Sequence, residues 1–163
     1  MSQSRTGVRA RARILVTIVL GLAASALPLL AQPAAKPLAS RDLDVEGVTA
    51  DVIESVRKDN VLTVRVRFRN TSDHPVKLEL TKTNNYNLDY ISAGNTKYNI
   101  LRDTNKKALA TPMDNLGMVE TTIPAKGSWN WWAKFPAPPA DQKTYTLYLK
   151  VGPPIEDVPI VDR

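Results

Sequence analysis

Apolar and polar side chains alternate with a period of two along most of the chain after Gly47, as in β-strands that bury one face. Residues 48–56 and 62–69 are two such stretches, and Lys58-Asp59-Asn60 between them has the composition of a turn. We therefore predict a β-hairpin in which Asp51 and Arg67 form an exposed ion pair, worth about 0 to 1 kcal/mol. Its apolar face would hold Val48, Ala50, Val52, Val56, Leu62, Val64, Val66 and Phe68, and its solvent face Thr63, Arg65, Arg67 and Arg69.

Shorter stretches continue this pattern towards the C-terminus. Residues 76–80, 121–123 and 145–151 are predicted strands, and residues 155–160 an extended tail or edge strand, whereas 108–119 has no usable period and reads as a long connection. A second hairpin is predicted to place Tyr86, Leu88 and Tyr90 opposite Tyr98 and Ile100. About seven short strands without an amphipathic helix predict an all-β fold, an immunoglobulin-like antiparallel β-sandwich.

One stretch, residues 129–135, holds all three tryptophans of the chain. Alternation predicts that Trp129, Trp131, Ala133 and Phe135 are buried, and that Trp132 and Lys134 face outward. A bare indole leaves a large apolar area in water, so Trp132 should have a cover or a partner. We expect the C-terminal tail to cover the ring through Ile155 or Val158; the alternative is an open aromatic platform for a sugar or an extended peptide.

The first residues have the features of a secretory signal. Arg5, Arg9, Arg11 and Arg13 precede an apolar run at residues 14–27, which is shorter than the ~20 residues that span a bilayer. Small residues follow, so cleavage is predicted after Ala31, with Ala26 as the alternative. This divides the chain into a signal-peptide helix (1–31), a disordered Pro- and Ala-rich linker (32–42) and one domain (43–163).

Export changes the meaning of the net charge of +6. Four of the 22 basic residues lie in the predicted signal, which leaves 18 basic against 16 acidic residues, a net charge of +2. We therefore exclude nucleic acid as a partner. The mature protein is expected to be a periplasmic or secreted monomer without a membrane span, and its partner an envelope protein or a glycan.

No residue pattern indicates catalysis or a cofactor. The chain has no Cys and one His, so neither a disulfide nor a transition-metal site is expected. His74 lies beside Pro75 in a predicted turn without a nucleophile, which favours an ordinary exposed residue. Asp103-Thr104-Asn105 lacks the Gly and the Glu of an EF-hand loop, so a turn is favoured over a weak calcium site.

Four segments carry a resemblance to a known group of proteins. They are residues 88–91, 97–103, 132–139 (Trp132-Ala133-Lys134-Phe135-Pro136-Ala137-Pro138-Pro139) and 156–160. Together they resemble bacterial exported immunoglobulin-like domains of uncharacterised function, over about residues 61–160. The resemblance implies an immunoglobulin-like fold and export, and brings no catalytic residues. Some relatives are fused to OmpA-like peptidoglycan-binding domains, but no such segment follows Arg163 and no wall-binding role is expected.

Three classes of function follow from these observations. A non-enzymatic binding or assembly module of the cell envelope is favoured, because immunoglobulin-like domains act through edges and loops. A structural or envelope-stress role comes next, and a secreted enzyme is the least favoured. The predicted binding surface is formed by Trp132, Lys134, Arg65, Arg67 and Arg69, where the three arginines could also act as an anion-binding stripe.

Overall fold

The computed structural model describes residues 36–81 and 86–163, which contain eleven β-strands. The predicted signal peptide lies outside these residues. The strands are β1 (Ala39–Asp42), β2 (Val48–Lys58), β3 (Val61–Asn70), β4 (Val76–Thr81), β5 (Tyr90–Ala93), β6 (Thr96–Asn99), β7 (Val119–Ile123), β8 (Ser128–Pro136), β9 (Thr144–Tyr148), β10 (Ile155–Pro159) and β11 (Val161–Asp162). The prediction of an all-β fold is therefore confirmed.

The largest sheet has the strand order β1-β2-β3-β8, and β11 adds to β2 as its one parallel neighbour among the described strands. The predicted hairpin of β2 and β3 is confirmed, including the pairing of Asp51 with Arg67. A bulge between Val52 and Glu54 then inserts an extra residue, which exchanges the faces of the strand. For this reason Ser55 and Arg57 are buried, and the prediction that Val56 shares the apolar face is wrong.

The other strands form a four-stranded antiparallel sheet, β10-β9-β5-β6, and a two-stranded antiparallel sheet, β4-β7. The second hairpin is shorter than predicted, since Tyr90 pairs with Asn99 and the residues before Tyr90 are not in a strand. There the Asp89 backbone N–H donates to the Tyr86 carbonyl at 3.1 Å. This turn buries Tyr86 and leaves Leu88 exposed.

Buried side chains of all three sheets form one core, within the single compact unit that contains the described residues. Trp131, Ala133 and Phe135 are buried as predicted, and Trp129 is partly buried with its ring stacked on Phe68 at a centroid distance of 6.0 Å.

Two predictions about the ends of the domain are wrong. Residues 39–42 belong to β1, whereas the composition of 32–42 indicated a disordered linker; pairing with the edge of β2 and a hydrogen bond from Ser40 to Asp51 order this segment. The tail does not cover Trp132. Ile155 and Val158 are buried in the core and β11 pairs with β2, so that β2 and β3 separate β11 from β8.

Candidate functional site

The register of β3 and β8 brings the five predicted surface residues to one side of the largest sheet, away from the core. Arg65 pairs with Trp132, Thr63 with Lys134, Arg67 with Asn130, and Arg69 with Ser128. Each of the five predicted surface residues lies between two buried neighbours along its strand, and none of the five is itself fully buried. We call the surface formed by Arg65, Arg67, Arg69, Trp132 and Lys134 the outer face.

Trp132 and Arg65 are directly opposite each other on the outer face. The backbone N–H of Trp132 donates to the Thr111 hydroxyl at 2.9 Å, and its carbonyl accepts from the Thr111 N–H at 2.9 Å, on the side away from β3. Trp132 and Arg65 are therefore a non-hydrogen-bonded pair, in which the Cα atoms approach to ~4.5 Å. Arg65 also contacts Glu54 at 3.3 Å. The result is a partly exposed indole beside an exposed guanidinium.

A buried carboxylate lies under the other end of the outer face. Asp51 is completely buried, and its oxygens accept from Arg69 at 2.5 and 3.1 Å, from Arg67 at 3.0 Å and from Ser40 at 2.8 Å. Burial by itself raises the pKa of Asp51, but the hydrogen bonds from Arg69, Ser40 and Arg67 outweigh it and the pKa is lowered. The prediction of an exposed Asp51–Arg67 pair is therefore wrong in two respects: Asp51 is buried, and it has Arg69 and Ser40 as partners in addition to Arg67.

The sheet register explains this arrangement. Ser40 of β1 and Arg67 of β3 are both directly opposite Asp51, and Arg69 is two residues further along the same face of β3. The predicted pairing with Arg67 is observed, but it depends on the bulge: the pairing of Lys58 with Val61 at the turn, continued without a bulge, would place Asp51 opposite Phe68. The hydroxyl of Ser40 was not predictable, because its strand lies in a segment whose composition indicates a linker.

A cavity of about 400 Å³ opens beside this cluster, where β8 begins. Lys126 stands at its edge with φ of 56° and its Nζ contacts the Thr71 carbonyl at 2.8 Å and the exposed Asp73 carboxylate at 2.9 Å. The lining residues are Arg67, Arg69, Asn70, Thr71, Lys126, Gly127 and Ser128. We call this cavity the arginine cavity.

A second cavity, of about 360 Å³, lies among the loops after β6. Its basic lining residues are Arg102, Lys106 and Lys107. Next to it, Asp103 Oδ1 accepts from the N–H groups of Asn105 and Lys107 at 2.9 and 2.8 Å, so this carboxylate closes a turn, as favoured by the sequence.

Two buried charged residues were not found from the sequence. Asp89 accepts from Thr81 Oγ1 at 3.3 Å and from the Lys150 N–H at 3.1 Å, and burial raises its pKa to about 6. The Arg57 guanidinium binds the Asp162 carboxylate at 2.5 and 3.1 Å. Arg57 also donates to the carbonyls of Pro138, Pro139, Ala140 and Gln142. An isolated Asp after Leu88 and a single Arg in a strand give no sequence signal of burial.

The described part of the chain holds no constellation typical of an enzyme or a metal site. His74 is exposed in a turn, and only its backbone carbonyl is engaged, by Asn70 and Ser72. No group of three or more His, Cys, Asp or Glu side chains in residues 36–81 and 86–163 could hold a metal ion. The same residues include no helix of the length and hydrophobicity needed to cross a membrane.

Comparisons of the sequence with protein-family models and with curated proteins, and of the fold with solved structures, give no match. The resemblance to exported immunoglobulin-like domains therefore stays a prediction.

Proposed function

We propose that this chain is an exported, non-enzymatic binding or assembly module of the bacterial cell envelope, with an immunoglobulin-like β-sandwich fold. The observation that carries this proposal is the outer face, where sheet register gathers a partly exposed tryptophan and four basic side chains on one solvent-facing surface. Aromatic and arginine side chains are enriched at protein interfaces, because one side chain combines large contact area with directional hydrogen bonds.

The fold and the inventory of side chains support a binding role over catalysis. Antiparallel sheets that share one core are the architecture of immunoglobulin-like domains, which bind through faces, edges and loops. The two most buried carboxylates, Asp51 and Asp89, are engaged by structural hydrogen bonds, and neither has a histidine or a second acid among its hydrogen-bond partners in the described residues.

The test is a pull-down from envelope extract with tagged chain lacking residues 1–31. We expect the parent protein to capture a specific partner and Trp132→Thr to lose it. The matched control is Tyr148→Thr, which removes a partly buried aromatic ring from the four-stranded sheet, where it stacks on Tyr90 at 4.4 Å. Loss of the partner in both variants, or in neither, would contradict the assignment of the outer face.

A structural or envelope-stress role is the second candidate. It is supported by Arg57, which joins β2, the segment 138–142 and the C-terminal tail through six hydrogen bonds. Under this alternative the parent protein captures no partner in the pull-down. A strain that lacks the protein has a weakened envelope, and expression of the Trp132→Thr variant restores the strength of the envelope.

A further inference from the structure

We infer that the arginine cavity is a binding site for a phosphate group, carried by a ligand of the outer face. This inference rests on the proposed binding function and names the chemistry that the site recognises. The cavity lies within the outer face, since Arg67 and Arg69 belong to both. Its volume of about 400 Å³ exceeds what a phosphate group needs, so the rest of a ligand can extend towards solvent.

The first support is the charge of the cavity. Arg67, Arg69 and Lys126 line the cavity, and their ion-pair partners are the carboxylates of Asp51 and Asp73, so one positive charge is in excess within these ion pairs. Asp42, which is not a lining residue, also acts electrostatically on Arg69. Asp51 is completely buried beneath the arginines, whereas Asp73 is 91% exposed and reaches only Lys126. An anion in the cavity therefore meets the arginines without displacing their own counter-ion.

The second support is the number of donors left unused. Asp51 accepts hydrogen bonds from Nε and Nη2 of Arg69 and from Nη2 of Arg67. No described residue accepts a hydrogen bond from Nη1 of either arginine. Ser128 is an exposed lining residue, and none of the side-chain hydrogen bonds found among the described residues involves its hydroxyl. Lys126 Nζ, an ammonium with three N–H groups, already contacts Thr71 and Asp73, and it brings to four the donor groups on residues that line the cavity. A tetrahedral phosphate offers more oxygens to such a set than a planar carboxylate does.

The third support is pre-organisation. Two guanidinium groups held on one buried carboxylate keep few free rotamers, so that binding an anion orders little further. Lys126 is also constrained, because its Nζ donates to the Thr71 carbonyl at 2.8 Å. The site is thus built before a ligand arrives.

The experiment is an NMR titration of the full chain with inorganic phosphate at low ionic strength. We expect saturable shifts of the amide signals of Thr71, Gly127 and Ser128, competition by sulfate, and much weaker binding of acetate. Lys126→Asn should weaken phosphate binding about tenfold, as for a lost charge-assisted hydrogen bond. Asn tolerates the positive φ of this position, so the variant is expected to fold.

The matched control is Lys58→Asn, which removes an exposed lysine at the opposite end of the β2–β3 hairpin and should leave phosphate affinity unchanged. Absence of saturable shifts overturns the inference. Equal weakening by both variants, or equal affinity for acetate and phosphate, overturns it as well, because the response then reports net charge alone.

Vesicles identify the source of the phosphate. Sedimentation of the parent, but not of Lys126→Asn, with phosphatidylcholine vesicles that contain phosphatidic acid assigns a lipid headgroup. Phosphate binding without vesicle binding assigns a soluble phosphate ester. Both results support the site. If phosphate fails to bind while the outer face still captures an envelope partner through Trp132, the inference falls and the proposed function stands.

Discussion

Asp51 and Asp89 are equally shielded from solvent, with 0% and 1% of their surfaces exposed, yet their pKa values move in opposite directions. Asp51 accepts from two guanidinium groups and a hydroxyl, whereas Asp89 accepts from one hydroxyl and one backbone N–H. Burial opposes ionisation at both sites, and at Asp51 the hydrogen bonds from Arg69, Ser40 and Arg67 outweigh it. Asp89 is also surrounded by more protein than Asp51, so the partners and the surroundings together decide which protonation state the fold favours.

The difference also separates two roles in the molecule. The Asp51 cluster lies under the outer face and aligns the arginines that we propose as binding residues. Asp89 joins the end of β4 to the segment after β9 through Thr81 and Lys150, and has no cation within its hydrogen bonds. The first carboxylate should therefore stabilise the fold as an anion, and the second should stabilise it best when protonated.

The largest effect is expected from Asp51→Asn at neutral pH. Removing the carboxylate leaves Arg67 and Arg69 without their counter-ion, and breaking a buried ion pair in this way costs about 3 to 5 kcal/mol. Urea unfolding at pH 7 measures the change in the free energy of unfolding. In the parent protein this contribution is present above the unfolded pKa of 3.8 and is lost as the pH falls through the lower pKa of the folded state. A change below about 1 kcal/mol would mean that the ion pairs of Asp51 stabilise the fold no more than exposed surface ion pairs do.

The next effect concerns Asp89, for which the pH dependence has the opposite sign. Its folded-state pKa of about 6 lies above the ordinary value of 3.8, so the stability it contributes is complete below 3.8 and is lost as the pH rises through 6. At 1.36 kcal/mol per pH unit, this amounts to at most about 3 kcal/mol. Between pH 4 and pH 7 the parent should lose up to this amount of unfolding free energy relative to Asp89→Asn, which has no carboxylate to ionise at this position. A difference that is constant with pH contradicts the raised pKa.

A smaller effect distinguishes the two arginines of the Asp51 cluster. Arg69 makes two hydrogen bonds to Asp51 and Arg67 makes one, and a hydrogen bond to a charged group contributes about 1.5 to 3 kcal/mol. Arg69→Gln should therefore destabilise the fold more than Arg67→Gln, and should raise the pKa of Asp51 further. Carboxyl-carbon NMR shifts of Asp51 as a function of pH give the second measurement. The reverse order would mean that the less exposed Arg67 dominates.

The smallest effect is expected at Glu54, which forms an exposed pair with Arg65 at 3.3 Å on the same sheet. Both side chains are well solvated, so Glu54→Gln should cost less than about 1 kcal/mol and the cost should vanish at high salt. Urea unfolding at two ionic strengths tests this. A loss as large as that of Asp51→Asn would mean that burial is not what separates the two pairs.

The sequence predicts the fold best where the alternation is long. β3 and β8 carry enough alternating positions to determine their faces and the grouping of Arg65, Arg67 and Arg69. The pairing of β3 with β8 brings Trp132 and Lys134 beside them. A bulge is the main local failure, because one inserted residue at 53 changes no composition and yet exchanges every later position of β2.

The remaining errors come from contacts between segments far apart in sequence. β1 is ordered by the edge of β2, and a Pro- and Ala-rich segment gives no sign of it. Asp51 is buried because a third strand supplies Ser40, and the tail adds to β2 because Arg57 holds Asp162. Such contacts depend on which strands become neighbours, which alternation within one strand does not encode.

Arg57 also determines how the domain would respond to mechanical load. β11 runs parallel to β2, the Arg163 N–H donates to the Arg57 carbonyl at 3.0 Å, and the Arg57 side chain grips Asp162 at 2.5 Å. A force that pulls Arg163 along the direction of β2 therefore acts in shear on two interactions at once, the Arg163–Arg57 backbone hydrogen bond and the Arg57–Asp162 ion pair. The same guanidinium holds four carbonyls of the segment 138–142, so the force passes directly to the chain that follows β8.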